Sequence, residues 1–280
     1  MKIAFWSPLH GTGATASLLA VAIALSELKK NKILVTHTHY NLNNLERPLL
    51  GNVDNGDFFR DTGIDAVIRH FKSGTVTGEH ISDCSIKISE NLYLLAGTKN
   101  SSREGYESGI VKNMIAHILT IIEKYYDIVL VDTNSGNNEY SKKIIEECDM
   151  VIVTLRQDRY LLDGFFENEV FSDKKIFYLF GDYDRESKYS LTNIRHLYKK
   201  IRKNNSGEIP HNTRYGDAIC DEKVLRYLRM NLNEENRNCP DEYFFTALKE
   251  TIDKICLFSE QITDGETEEK TCLELQPVLH

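Results

Sequence analysis

Short apolar runs alternate with helical patterns along most of the chain. The runs are KIAFW from Lys2, KILVTHT from Lys32, NLYLLAG from Asn91, YDIVLVDT from Tyr126, DMVIVTL from Asp149 and KIFYLFG from Lys175. Each is rich in β-formers and bounded by turn residues, so each is a predicted strand. Apolar positions at helical spacing predict helices over Thr15 to Lys30, Tyr106 to Tyr125, Asn137 to Glu147 and Leu191 to Lys203. The first is apolar nearly all round and is predicted to be buried. The alternation predicts an α/β fold with a single doubly wound, mostly parallel sheet flanked by helices, whose ligands sit at the carboxyl ends of the strands. After Pro210, Lys223 to Met230 and Asp241 to Phe258 read as helices packing on one face of the sheet. One domain is therefore expected over residues 1–258. Residues 259–280 are acidic and mostly aperiodic, and are expected to form a mobile tail.

Composition narrows this frame. With 280 residues, 41% hydrophobic and 27% charged, the chain is long enough to bury a large core as one domain. No window approaches the roughly 18 apolar residues of a membrane span, and the amino terminus lacks signal-peptide features. Six scattered cysteines without a CxxC pair read as reduced thiols, and a cytoplasmic location is expected. The net charge of −8 argues against whole-surface attraction to DNA or anionic lipid. A local exception is RHLYKKIRK, where Arg195, Lys199, Lys200, Arg202 and Lys203 form either a weak DNA contact or a solvated helix face.

The candidate chemistry follows the first strand. SPLHGTGATAS, from Ser7, joins that strand to the first long helix, an arrangement that points backbone N–H groups at a phosphate. Gly11 and Gly13 permit unusual backbone angles, and Thr15 at the helix start offers a hydroxyl for Mg²⁺. A strict Walker A loop needs lysine where this chain has Ala14. The alternative for the loop is a plain strand-to-helix turn.

The loop and three later segments resemble the ParA/MinD group of P-loop ATPases. SPLHGTGATA resembles that family's SGKGGVGKTT, with Ser7, Gly11, Gly13 and Thr15 matching. HTHYNLNNLE resembles the DxDxGLRNLD-like segment after the second strand, through Leu42, Asn44, Leu45 and Glu46. YDIVLVDTNSG resembles the family's strand-DTPPG at Asp132 and Gly136, and EIPHNTRYGDAI resembles the IPxD region near the adenine, at Pro210. The stretch from Gly63 to Thr98 is similar to the linking segment of MinD-like and TadZ/CpaE-like members. The resemblance implies a P-loop NTPase fold of the SIMIBI type and ATP or ADP bound with Mg²⁺. It places nucleotide contacts at Gly11, Thr12, Gly13, Ala14, Thr15, Ala16, Gly136 and Pro210, and metal contacts at Thr15 and Asp132. A homodimer with a further protein partner or cargo is also implied. Membrane attachment is not, because the carboxyl-terminal stretch is acidic where a basic amphipathic helix would be needed.

The departures define the functional expectation. Both family lysines are missing, replaced by Leu9 and Ala14, and a cation about 4 Å from a phosphate charge is worth up to roughly 4 kcal/mol at an effective dielectric near 20. The two switch-I aspartates are replaced by His37 and His39. Losing lysine and carboxylate together removes positioning and electrostatic stabilisation, so efficient hydrolysis is not expected. His10, His37 and His39 are candidates to restore positive charge beside the phosphates. Their alternatives are exposed loop histidines or, with Asp132, a metal site. The family's base-binding asparagine is replaced by Gly181 and Asp182. Tyr160, Phe165, Phe166 and Tyr183 either stack on a base or pack the core. The expected function is a positioning or scaffolding protein, close to the TadZ/CpaE pilus-localisation branch, with a degenerate nucleotide site. The alternatives are a slow Mg²⁺-dependent ATPase partitioning plasmid, chromosome or protein cargo, with His39 in place of the family aspartate, and a DNA-associated adaptor.

Overall fold

The computed structural model describes residues 1–39, 44–51, 61–74, 76–98, 110–168, 171, 173–232 and 240–274, with the backbone alone at 110–115 and 262–274. Eight strands form one sheet among these residues: β1 (Lys2–Trp6), β2 (Ile33–His37), β3 (Ile86–Lys87), β4 (Leu92–Leu95), β5 (Ile128–Asp132), β6 (Met150–Leu155), β7 (Lys175–Tyr183) and β8 (Ser206–Pro210). Their order across the sheet is β3-β4-β2-β5-β1-β6-β7-β8. Every neighbouring pair is parallel except β3 with β4.

Strands buried on both faces need helices on both sides, and the period of two along β1 shows the division. Ile3 and Phe5 join one core cluster, whereas Ala4 and Trp6 join the other. The first face is covered by α1 (Ala14–Ala24), α9 (Thr213–Cys220), α10 (Val224–Leu232) and α11 (Glu242–Glu274), through Leu18, Ile23, Tyr215, Leu228 and Leu248. The second carries α3 (Gly63–Ser73), α4 (Gly78–Asp83), α5 (Ile110–Ile122), α6 (Glu139–Glu146), α7 (Arg159–Glu167) and α8 (Leu191–Leu197). A short α2 spans Glu46–Leu50. Helix α1 is buried continuously from Ser17 to Ala24, as its all-round apolar pattern predicts, and continues as a π-helical turn over Leu25–Lys29.

The six strands read from the sequence are present, and β3 and β8 are additions. β8 was obscured because SGEIP has neither length nor alternation. The helix expected to reach Lys203 ends at Leu197, where Tyr198 takes extended angles and Ile201 turns into the core. Arg195 is half buried and donates to Ser206 Oγ from Nε at 3.1 Å and Nη2 at 3.0 Å. Lys199, Lys200 and Arg202 are exposed on the irregular segment that follows and Lys203 opens a 3-10 turn, so the basic run is not one helix face. The last helix continues past the expected boundary at Phe258 as far as Glu274. Residues 275–280 lie outside the described part, as does Leu42. Phe165 is buried beside Trp6, and Phe166 stacks on Tyr198, so both pack the core.

Cys84, Cys148, Cys220 and Cys256 are free thiols. Burial pushes the Cys84 thiol up to about 11 and that of Cys148 up to about 12, which makes both poor nucleophiles. Among the described residues no helix is long and apolar enough to cross a membrane.

Candidate functional site

The carboxyl ends of three adjacent strands bring the loop, Asp132 and two histidines together. Phe5 and His37 both pair with Asp132 across the sheet, so the segments leaving β1, β2 and β5 emerge side by side. Gly11 and Gly13 have φ of 77° and 80°, in the left-handed region that side chains resist. A Cβ at either would meet nothing within 4 Å, so the need for glycine there is conformational, not steric. The turn feeds directly into α1, whose first residue follows Gly13 without a side-chain cap. Among the described residues, the amides from Gly11 to Ala16 donate to no protein acceptor. Unengaged N–H groups at a helix start are able to donate to an anion.

One side of this loop faces a buried carboxylate and a threonine hydroxyl. Thr15 donates its hydroxyl to Asp132 Oδ2 at 2.6 Å. Asp132 has no solvent exposure, and its Oδ1 has no hydrogen-bond partner. An unsatisfied buried polar group costs about 1–3 kcal/mol, so a fully buried carboxyl with an open oxygen fits a Mg²⁺ ion or its bound water. His39 Nε2 stands 3.3 Å from Asp132 Oδ2, within ion-pair range, but makes no hydrogen bond in that orientation. Gly136 ties this corner to the loop: its N–H donates to Ser7 O at 2.9 Å, and its carbonyl accepts Trp6 Nε1–H at 3.2 Å. Its φ of 75° again calls for glycine.

The three histidines do not converge. His10 is exposed on the loop and His39 lies beside Asp132, but the His37 side chain is fully buried. It reaches Glu46 Oε1 at 2.8 Å, and the Gly97 amide donates to the same oxygen at 2.8 Å. A Cβ at Gly97 would lie 2.5 Å from His37 Cε1, so glycine there makes room for the ring. Burial opposes a charge on His37, but the Glu46 carboxylate outweighs it and raises the imidazole pKa above its usual value. Burial likewise opposes ionisation of Glu46, and the His37 ring outweighs it and holds the carboxyl below its usual value. In the neutral ring, Nδ1 accepts the His39 amide at 3.2 Å. The expectation that His37 lies against a phosphate is therefore corrected: it is a structural partner of Glu46. Among the described residues no group of three or more His, Cys, Asp or Glu side chains is arranged to hold a metal, which removes the reading of a metal centre built from these histidines and Asp132.

The opposite side of the loop was not legible in the sequence. Gly181 of β7 lies so close that a Cβ would be 2.9 Å from Thr12 O and 3.0 Å from Ser17 Oγ. Glycine there lets β7 approach the loop, and the following residue, Asp182, has φ of 50° and pairs with His211 Nδ1 at 2.6 Å. Arg156, immediately after β6, donates from Nη1 to Gly11 O at 3.4 Å. An open cavity of about 1120 Å³ extends from Arg156 past Gln157, Asp182, Tyr183 and His211 to Tyr243. Pro210 is buried at the end of β8, where it pairs with Tyr183.

By sequence, no family model and no curated protein matches the chain. Solved structures do match. A ParA family ATPase from Chlorobium tepidum superposes with a TM-score of 0.66 at 14% identity, covering 90% of this chain and 98% of that one. The cell division ATPase MinD of Pyrococcus furiosus gives 0.67 at 16% identity, covering 91% and 98%. The fold is that of the ParA/MinD ATPases. The septum site-determining protein MinD of Pyrococcus horikoshii, in complex with Mg-ADP, gives 0.65 at 17% identity, covering 91% and 96%. Within this fold the glycine loop, Thr15 and Asp132 lie at the carboxyl ends of the central strands β1 and β5. Leu9 and Ala14 stand where the loop resemblance implies lysines, and Leu9 is 52% exposed.

Proposed function

We propose that the chain binds a nucleoside di- or triphosphate with Mg²⁺ in its glycine loop, turns it over slowly or not at all, and works as a positioning or scaffolding protein. The observation that carries this reading is the row of unengaged amides from Gly11 to Ala16 beside Thr15 and the open oxygen of Asp132. Thr15 and Asp132 would hold the Mg²⁺ and its water; when bound, that ion supplies charge against the terminal phosphates. The amides orient the phosphates without a lysine. No carboxylate stands where the resemblance places the one that orients attacking water, because His39 occupies that position and His37 is withdrawn. Positioning and charge are the main levers of phosphoryl transfer, so their reduction favours binding over turnover.

A homodimer meeting through the loop face is part of the proposal. Leu9, at 52% exposure, and Tyr160, at 87%, leave an apolar and an aromatic side chain open on that face. A role in pilus or secretion-system localisation, as in the TadZ/CpaE branch, rests on the sequence resemblance. The second reading is a slow Mg²⁺-dependent ATPase serving plasmid, chromosome or protein partition, supported by His39 beside Asp132. Calorimetric titration with ADP and ATP, with and without Mg²⁺, and phosphate release under saturating ATP separate these readings. Saturable Mg²⁺-enhanced binding without steady phosphate release supports the first, and sustained release supports the second. Absence of binding contradicts both.

A further inference from the structure

The missing lysine charge has a candidate replacement just beyond another strand. We propose that Arg156 is the phosphate-contacting cation of the loop, acting on the phosphates that di- and triphosphates share; this rests on the nucleotide-binding reading above. The sheet order sets β5 and β6 on opposite sides of β1. The loop leaving β1 is therefore flanked by Asp132 at the end of β5 and by Arg156 just beyond β6. The guanidinium reaches the loop itself, with Nη1 3.4 Å from Gly11 O. One of its five N–H donors is used there, and the remaining fork suits phosphate oxygens.

Pairing distinguishes this arginine from its neighbours. Arg159 is paired with Asp163 and Arg185 with Glu186, whereas no carboxylate is paired with Arg156 among the described residues. Arg156 is exposed, at the boundary between the loop and the open cavity of about 1120 Å³. A nucleotide spanning the loop and that cavity would lie within reach of Arg156. The charge that the resemblance places at Ala14 on the helix thus comes from the end of β6 instead.

The test uses the full chain and fluorescent N-methylanthraniloyl ADP and ATP with Mg²⁺ as probes. Arg156→Gln keeps a polar side chain but loses the charge, and should weaken both probes by the same factor, about 10- to 100-fold. Arg156→Lys should restore most of the affinity, and the salt dependence of binding should be shallower in the glutamine variant. Lys72→Gln, which removes an exposed cation from the last turn of α3, serves as the control and should bind like wild type. Wild-type binding with an unchanged Arg156→Gln affinity overturns the role of Arg156 alone. A loss confined to the triphosphate overturns the assignment to the shared phosphates. A lysine variant as weak as the glutamine variant overturns the role of charge. Wild type that binds neither probe overturns this inference together with the nucleotide reading.

Discussion

Replacing Glu46 by glutamine tests the part of the site that is most tightly built. The Glu46 carboxylate is almost fully buried, 2.8 Å from His37 Nε2 and 2.8 Å from the Gly97 amide. Removing one member of a buried ion pair costs about 3–5 kcal/mol, but glutamine keeps an oxygen for the Gly97 amide, so the expected loss is about 2–3 kcal/mol. For a domain of this size that corresponds to a fall in Tm of about 5 °C. The pH dependence carries the sharper signature. The His37 pKa is raised in the fold from 6.5, so its stabilisation is complete below about pH 6.5 and is lost as pH rises through the folded value. The Glu46 pKa is lowered from 4.5, so its stabilisation is present above about pH 4.5 and is lost as pH falls through the folded value. Thermal unfolding of wild type between pH 5 and pH 8 should therefore show stability declining on the alkaline side, and Glu46→Gln should flatten that decline. An unchanged Tm with an unchanged pH profile would refute the buried pair.

Three further outcomes follow from the loop and its face. Gly13→Ala places a side chain at φ of 80° with no clash, so it should destabilise the fold by only about 1–2 kcal/mol while weakening nucleotide binding, measured by thermal unfolding and calorimetry together. Asp132→Asn should leave the Thr15 contact possible but abolish the Mg²⁺ enhancement of nucleotide affinity; an enhancement equal to that of wild type would count against Asp132 as the metal residue. Leu9→Asp should lower the dimer population in light scattering at a given concentration, and an unchanged mass would remove Leu9 from the interface.

The parts of this molecule legible in the sequence are those fixed by local pattern. Buried parallel strands are continuous apolar runs, so β1, β2 and β4 through β7 stand out, and the chain order of glycine loop, Thr15, Asp132 and Gly136 follows from motif spacing. Long-range arrangement was less accessible. His37 and His39 lie two residues apart and look alike in the sequence, yet the end of β2 buries one against Glu46 and leaves the other at Asp132. Gly181 reads as a lost base contact until its 2.9 Å approach to Thr12 O gives it a packing role. Arg156 carries no local signal at all, because its relevance depends on β6 lying next to β1. The segment from Tyr198 to Lys203 looks helical by composition, but the buried Ile201 and the Arg195 bonds to Ser206 pull it out of a helix.

The most direct measurement is an isothermal titration of nucleotide-stripped protein with ADP in the presence and absence of Mg²⁺. Saturable binding at one site per chain, strengthened by Mg²⁺, is the result expected if the amides from Gly11 to Ala16 cradle a phosphate beside Asp132. No heat and no competition at millimolar ADP, from a protein whose unfolding transition shows it to be intact, would contradict it.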